Sequence, residues 1–166
     1  VDDKEGMQFE DVKKRLQEFA ELDVKMIEQP MSKTETEAMK ELKAISHIPL
    51  FADESCVEEK DVAKCAEGFH GINIKLTKCG GITPALRMIT EARKLGLKVM
   101  IGSMNESTIG SAAIAHLSPL LDEMDADGPL LLKEDVAEGL KYESGRLLIN
   151  NAPGLGVKFT GLRNTK

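Results

Sequence analysis

Short apolar runs alternate with amphipathic stretches along most of the 166-residue chain. The runs are Val24–Glu28, Pro49–Asp53, Ile72–Leu76, Lys98–Gly102 and, more weakly, Glu123–Asp127, and their length predicts five strands. Between them, apolar residues recur at helical spacing: Val12, Leu16 and Phe19; Ala38, Leu42 and Ile45; Val62, Cys65 and Ala66; Leu86, Ile89, Ala92 and Leu95; Ile109, Ala112, Ala113 and Leu117. Thr83 as a cap, Pro84 in the first turn and Gly96 as a stop frame the fourth of these helices.

Strand starts at Val24, Leu50, Ile72, Val99 and Met124 keep a nearly regular interval, so strand and helix alternate and the strands are predicted to be parallel with helical crossovers. An open sheet gathers its ligand at one switch point, whereas a barrel collects residues from the ends of many strands. Here polar residues close nearly every strand: Glu28, Asp53, Lys75, Ser103, Asp125 and Asp127. The expected fold is therefore α/β, the C-terminal part of a (β/α)8 barrel. Residues 1–128 are read as the end of barrel strand 3 through strand 8, with Val1-Asp2 as the last turn of the first of these. The chain is accordingly expected to be a portion of a longer polypeptide, because an incomplete barrel leaves unpaired edges. Residues 129–166 are read as a tail that packs elsewhere, with one short strand near Arg146–Ile149 and turns at Asn150-Asn151 and Pro153-Gly154.

Net charge is −6, from 22 basic and 28 acidic residues, which excludes a nucleic-acid or anionic-membrane partner as the primary expectation. No apolar run is long enough for a bilayer span, and no signal-peptide pattern opens the sequence. Cys56, Cys65 and Cys79 include no Cys-x-x-Cys pair and read as reduced, mostly buried thiols, consistent with a cytoplasmic protein. His47, His70 and His116 fall at helix ends or before strands and are given structural roles. Gly154-x-Gly156 lacks the strand-to-helix context of a phosphate loop.

Asp2, Glu28 and Asp53 recur at intervals of one strand-helix unit. Neighbouring parallel strands lie ~4.8 Å apart, so three such carboxylates can share one hard divalent cation, and Mg²⁺ suits an all-oxygen set. In the next strand, Ile72, Ile74 and Leu76 share one face and Asn73, Lys75 and Thr77 the other, which points Lys75 at the carboxylates. A nearby cation and partial burial favour the neutral amine that a general base requires. Lys78, of opposite parity, is read as solvated. Asp125 and Asp127 share a face and form an anionic pair suited to a cation.

Glu28-Gln29-Pro30, Asp53-Glu54-Ser55, Lys75-x-x-Lys78-x-Gly80-Gly81 and Asp125-x-Asp127-Gly128-Pro129 together resemble the enolase superfamily, in its muconate-lactonizing subgroup and most of all its dipeptide epimerases of the L-Ala-D/L-Glu type. The resemblance implies Mg²⁺ held by Asp2, Glu28 and Asp53. It also implies Lys75 as one of two acid/base lysines flanking the substrate α-carbon, and Asp125 and Asp127 on a dipeptide ammonium. Ser103 and Met104 would line the same pocket. Asp2 is placed by spacing alone, since Asp3-Lys4 follows it where the family usually has Ala-Asn. The second lysine, in a Lys-x-Lys motif, and the capping domain toward which the tail would pack lie outside these residues. A muconate cycloisomerase or o-succinylbenzoate synthase, and a non-catalytic barrel relative, remain as alternatives. Family members are often symmetric assemblies, which makes a homo-oligomer an open expectation.

Overall fold

The computed structural model describes residues 1–161. Five parallel strands, β1 (Ile27–Glu28), β2 (Leu50–Ala52), β3 (Gly71–Ile74), β4 (Lys98–Gly102) and β5 (Glu123–Asp125), pair in chain order as one curled sheet, a half-barrel. Helices α1 (Phe9–Glu21), α2 (Thr36–Ile45), α3 (Val62–Gly68), the single turn α4 (Leu76–Cys79), α5 (Ile82–Lys94) and α6 (Thr108–Leu117) form the connections. Asp2 makes an isolated parallel bridge to Glu28, so the chain start does run as a strand beside β1.

The period-two pattern decides which side chains meet the helices. Ile27, Leu50, Ala52, Ile72, Ile74, Val99 and Ile101 are fully buried and join Val12 and Leu16 of α1, Met39 and Leu42 of α2, and Met88 and Ile89 of α5 in one core. Burying each of the larger aliphatics contributes about 1.5–3 kcal/mol. The alternate residues, Glu28, Phe51, Asn73 and Met100, face the other way, with Phe51 and Met100 filling the lower interior. Gly71 is required there, because a methyl on it would lie 2.6 Å from the Phe51 ring.

Several boundaries differ from expectation. Pairing begins only at Ile27, since Val24–Met26 have no ladder partner in β2. The third strand ends at Ile74, and Lys75 is the residue on which α4 begins. Helix α5 starts at Ile82 with Gly81 as its cap, so Thr83 lies inside the helix rather than at its end, while Gly96 does close it, at φ +71°.

The tail is more ordered than its turn signals predict. A hairpin joins β7 (Lys141–Glu143) to β8 (Arg146–Leu148) through Ser144-Gly145, both with positive φ as a two-residue turn requires. A second antiparallel pair joins β6 (Ala137–Glu138) to β9 (Lys158–Phe159). The segment folds back on the barrel: Asp135 Oδ2 accepts the Thr108 N–H at 2.8 Å at the start of α6, and Tyr142 donates to the Ala126 carbonyl at 2.7 Å. Residues 162–166 of the expected tail lie outside the described residues. No helix among the described residues is long and apolar enough to cross a membrane.

Candidate active site

Inward parity delivers three charged side chains to one end of the sheet. Glu28 closes β1 and is 5 % exposed; Asp53 follows β2 and is 2 % exposed; Lys75 follows β3 and is 6 % exposed. Lys75 Nζ stands 3.9 Å from Glu28 Oε1 and 3.9 Å from Asp53 Oδ2, and it donates to the Ser103 carbonyl at 3.3 Å. Asn73, two residues before Lys75 on the same face, donates to Glu28 Oε1 at 2.8 Å. Burial pushes the Glu28 carboxyl upward, and the like charges of Asp2 and Asp53 add to this, against the pull of Asn73 and Lys75.

Gln29 and Lys78 complete the frame. The Gln29 side chain is fully buried and accepts the backbone N–H groups of Asp53 and Ser55, each at 3.1 Å, while donating to the Met31 carbonyl. It thereby fixes the loop that carries Asp53. Lys78, expected to be solvated, instead donates to Asp53 Oδ1 at 2.8 Å. The reason is the early end of β3: one helical turn brings residue 78 back to the same side as residue 75.

Asp2 is more open, and its carboxylate is engaged by the residue two positions on: Lys4 Nζ lies 2.6 Å from Asp2 Oδ2 and 3.9 Å from Asp53 Oδ2. The hydrogen bond to Asp2 holds the Lys4 ammonium above its ordinary pKa despite partial burial. The carboxylates of Asp2, Glu28 and Asp53 thus share lysine neighbours, yet among the described residues no three acidic, His or Cys side chains close on one point as a metal cage. Three carboxylates from adjacent strand ends are nevertheless the hard oxygen set that Mg²⁺ takes, and an ammonium already spans two of them. The donor set fits the ion.

On the far side, Ser103 connects Lys75 to the acidic pair. Its N–H donates to the Asp125 carbonyl at 2.8 Å, and its hydroxyl is 3.3 Å from Asp127 Oδ1. Asp127 lies beyond β5, yet its charge still acts on the Asp125 carboxyl. Burial raises the Asp125 pKa, and the Asp127 charge raises it further. Lys75 acts in the opposite sense, as a basic neighbour of the pair. Met104 is half exposed, and its N–H donates to the buried Glu106 carboxylate. A separate concavity of about 630 Å³ between α2 and α3, lined by Met39, Cys65 and Phe69, contains none of the predicted site residues.

Gly102 sets the depth of the site. A methyl group there would fall 2.5 Å from Lys75 Nζ and 2.8 Å from Asn73 Nδ2. Gly102→Ala is expected to push the ammonium from its place and lower turnover at least tenfold in the full-length protein with little change in thermal midpoint. Steady-state kinetics beside a melting curve check this.

A model of the enolase C-terminal domain-like family matches residues 1–161. The chain belongs to this family. An L-Ala-D/L-amino acid epimerase of Flavobacterium johnsoniae is 53 % identical over 140 residues, covering 84 % of this chain and 42 % of that protein. A hydrophobic dipeptide epimerase of Roseobacter litoralis is 40 % identical over 94 % of this chain and 45 % of its own length. Among solved structures, the dipeptide epimerase of Methylococcus capsulatus in complex with Mg and L-Arg-D-Lys superposes with a TM-score of 0.90 at 36 % identity, over 96 % of this chain and 47 % of that one. The chain thus spans about half the length of the relatives it matches, and the enolase-type half-barrel is the half that carries the residues described above.

Proposed function

We propose that the full-length protein containing this segment is a Mg²⁺-dependent dipeptide epimerase, with L-Ala-D/L-Glu as the leading substrate. The observation that carries this reading is the buried Lys75 ammonium standing equidistant from two buried strand-end carboxylates, on a family frame whose relatives are named epimerases of dipeptides. Asp2, Glu28 and Asp53 would hold the ion. When bound, Mg²⁺ supplies positive charge that offsets the negative charge developing on the substrate carboxylate as the α-proton leaves.

The chain's own residues divide the remaining work. Lys75 takes the α-proton on one face of the substrate as the neutral amine and returns it there as the ammonium. Its hydrogen bond to the Ser103 carbonyl and the crowding at Gly102 fix its direction. Asn73 and Gln29 hold Glu28 and the Asp53 loop in place. Asp125 and Asp127 bind the dipeptide ammonium, with Ser103 steadying Asp127, while Met104 borders the substrate. The opposing lysine, the remaining strands and the capping domain against which the tail would rest belong to the rest of the polypeptide.

Incubating the full-length protein with a dipeptide library in deuterated water tests the proposal. Mg²⁺-dependent α-deuteration with change of configuration is expected, and no exchange with any dipeptide would overturn it. Asp125→Asn and Asp127→Asn separate this reading from cycloisomerisation, because a substrate without an ammonium would be indifferent to them. The Asp125 shift also has a sign. A carboxyl whose pKa is raised gains its proton at a higher pH than an ordinary aspartate, and the neutral acid no longer attracts an ammonium. KM for the dipeptide is therefore expected to rise as pH falls through the mildly acidic range while Asp125→Asn flattens that rise, as pH-resolved kinetics would show.

A further inference from the structure

Lys4 stands where a positive charge is most consequential for the three carboxylates. The residue grips Asp2 twice: its backbone N–H donates to Oδ1 at 3.2 Å and its side-chain Nζ lies 2.6 Å from Oδ2, with Asp53 Oδ2 at 3.9 Å from the same ammonium. The loop that aims it is built for the purpose. Lys4 and Glu5 adopt φ of +50° and +63°, a left-handed backbone that non-glycine residues rarely take. That turn is held by three bonds to the β1–α2 loop: Glu5 N–H to the Gln29 carbonyl at 2.9 Å, Met7 N–H to the Pro30 carbonyl at 2.9 Å, and Lys33 N–H to the Glu5 carboxylate at 2.6 Å.

Charge counting gives the consequence. Asp2, Glu28 and Asp53 carry three negative charges, and Lys4, Lys75 and Lys78, all within 4 Å of them, can carry three positive ones. A divalent ion and the Lys4 ammonium would compete for the same Asp2 and Asp53 oxygens, and their like charges repel. Lys75 and Lys78 are held by burial and by α4, whereas the Lys4 side chain is 62 % exposed and can swing into water at little desolvation cost.

We propose that Lys4 is a built-in counter-cation of the metal site, holding Asp2 and Asp53 in the metal-free protein and leaving them when Mg²⁺ binds, so that it weakens Mg²⁺ affinity. The inference rests on the reading of Asp2, Glu28 and Asp53 as metal ligands. Titration calorimetry of the full-length protein with MgCl₂ alone, without substrate, tests it on the wild type and on Lys4→Met, Lys4→Gln, Lys4→Arg and Asp53→Asn. Lys4→Met and Lys4→Gln are expected to lower Kd about two- to fivefold, the range for displacing one solvent-accessible ion pair, while Lys4→Arg keeps the wild-type value. The same two neutral variants should show a larger Mg²⁺-induced rise in thermal midpoint, starting from a lower metal-free one. An unchanged or weaker Kd in either folded neutral variant, with Asp53→Asn still abolishing binding, overturns the role of Lys4 alone. Absence of Mg²⁺ binding to the wild type, or undiminished binding by Asp53→Asn, overturns the metal-site reading and this inference with it.

Discussion

Lys75→Ala in the full-length protein is expected to abolish epimerisation in both directions, with the rate down about 10²- to 10⁴-fold, the usual weight of a positioned general acid or base. The informative part is the stereochemistry of what survives. Inversion requires a proton to leave one face of the α-carbon and return to the other. With Lys75 gone, one epimer should still exchange its α-proton with solvent deuterium through the opposing base, while the other epimer does not. Proton NMR of each epimer incubated separately in deuterated water reads both rates. Equal residual exchange from the two epimers would remove Lys75 from the chemistry. The surroundings make this a clean substitution: among the described residues no other lysine has its ammonium between Glu28 and Asp53, and Lys78 is committed to the opposite oxygen of Asp53.

Asp53→Asn is expected to have the second largest effect, on two quantities at once. It removes one of the three carboxylates proposed to hold the ion, so Mg²⁺-dependent turnover should fall below detection. It also strips, among the described residues, the only anion within hydrogen-bonding distance of the Lys78 ammonium and one of two facing Lys75. Because Asp53 is almost wholly buried, the unpaired charges should cost about 2–3 kcal/mol of stability in the metal-free protein. Chemical denaturation measures that loss. Adding Lys78→Met should recover part of it, since the neighbour left stranded is then gone, and a double-mutant cycle would return a coupling between the two positions. Full additivity would show that the 2.8 Å contact contributes nothing to the fold.

Much of this arrangement is legible in the residues themselves. Regular alternation of strand and helix identifies the parallel sheet, and period-two parity turns Glu28, Asn73 and Lys75 to the side away from the helices, where they are found. Parity fails one residue later. Leu76 is apolar and suits either a strand or a helix, so the pattern cannot reveal that the strand has already ended. Two signals do reveal it: the three-residue spacing of Lys75 and Lys78, and the Gly80-Gly81 pair, both at positive φ, that stops the turn. The position of Lys4 was not readable, because it depends on two left-handed residues and on hydrogen bonds to a loop more than twenty residues away. In the tail β8 falls where a short strand was expected, whereas β6 and β9 were hidden for a related reason. β6 and β9 are two residues each and meet across a long intervening segment, so no local periodicity marks them. The three carboxylates were expected to converge on one point. They instead interleave with lysines, an outcome set by side-chain charge rather than by strand spacing.

Helix α4 is only one turn long, yet both the Lys78 and Cys79 N–H groups donate to the Lys75 carbonyl at 3.0 Å. The lysine proposed to move the proton and the clamp on its neighbouring carboxylate are therefore one mechanical piece. Drift in the surrounding scaffold displaces them together, keeping their mutual distance, and a single-residue insertion between them would uncouple what all the other loops of the half-barrel leave intact.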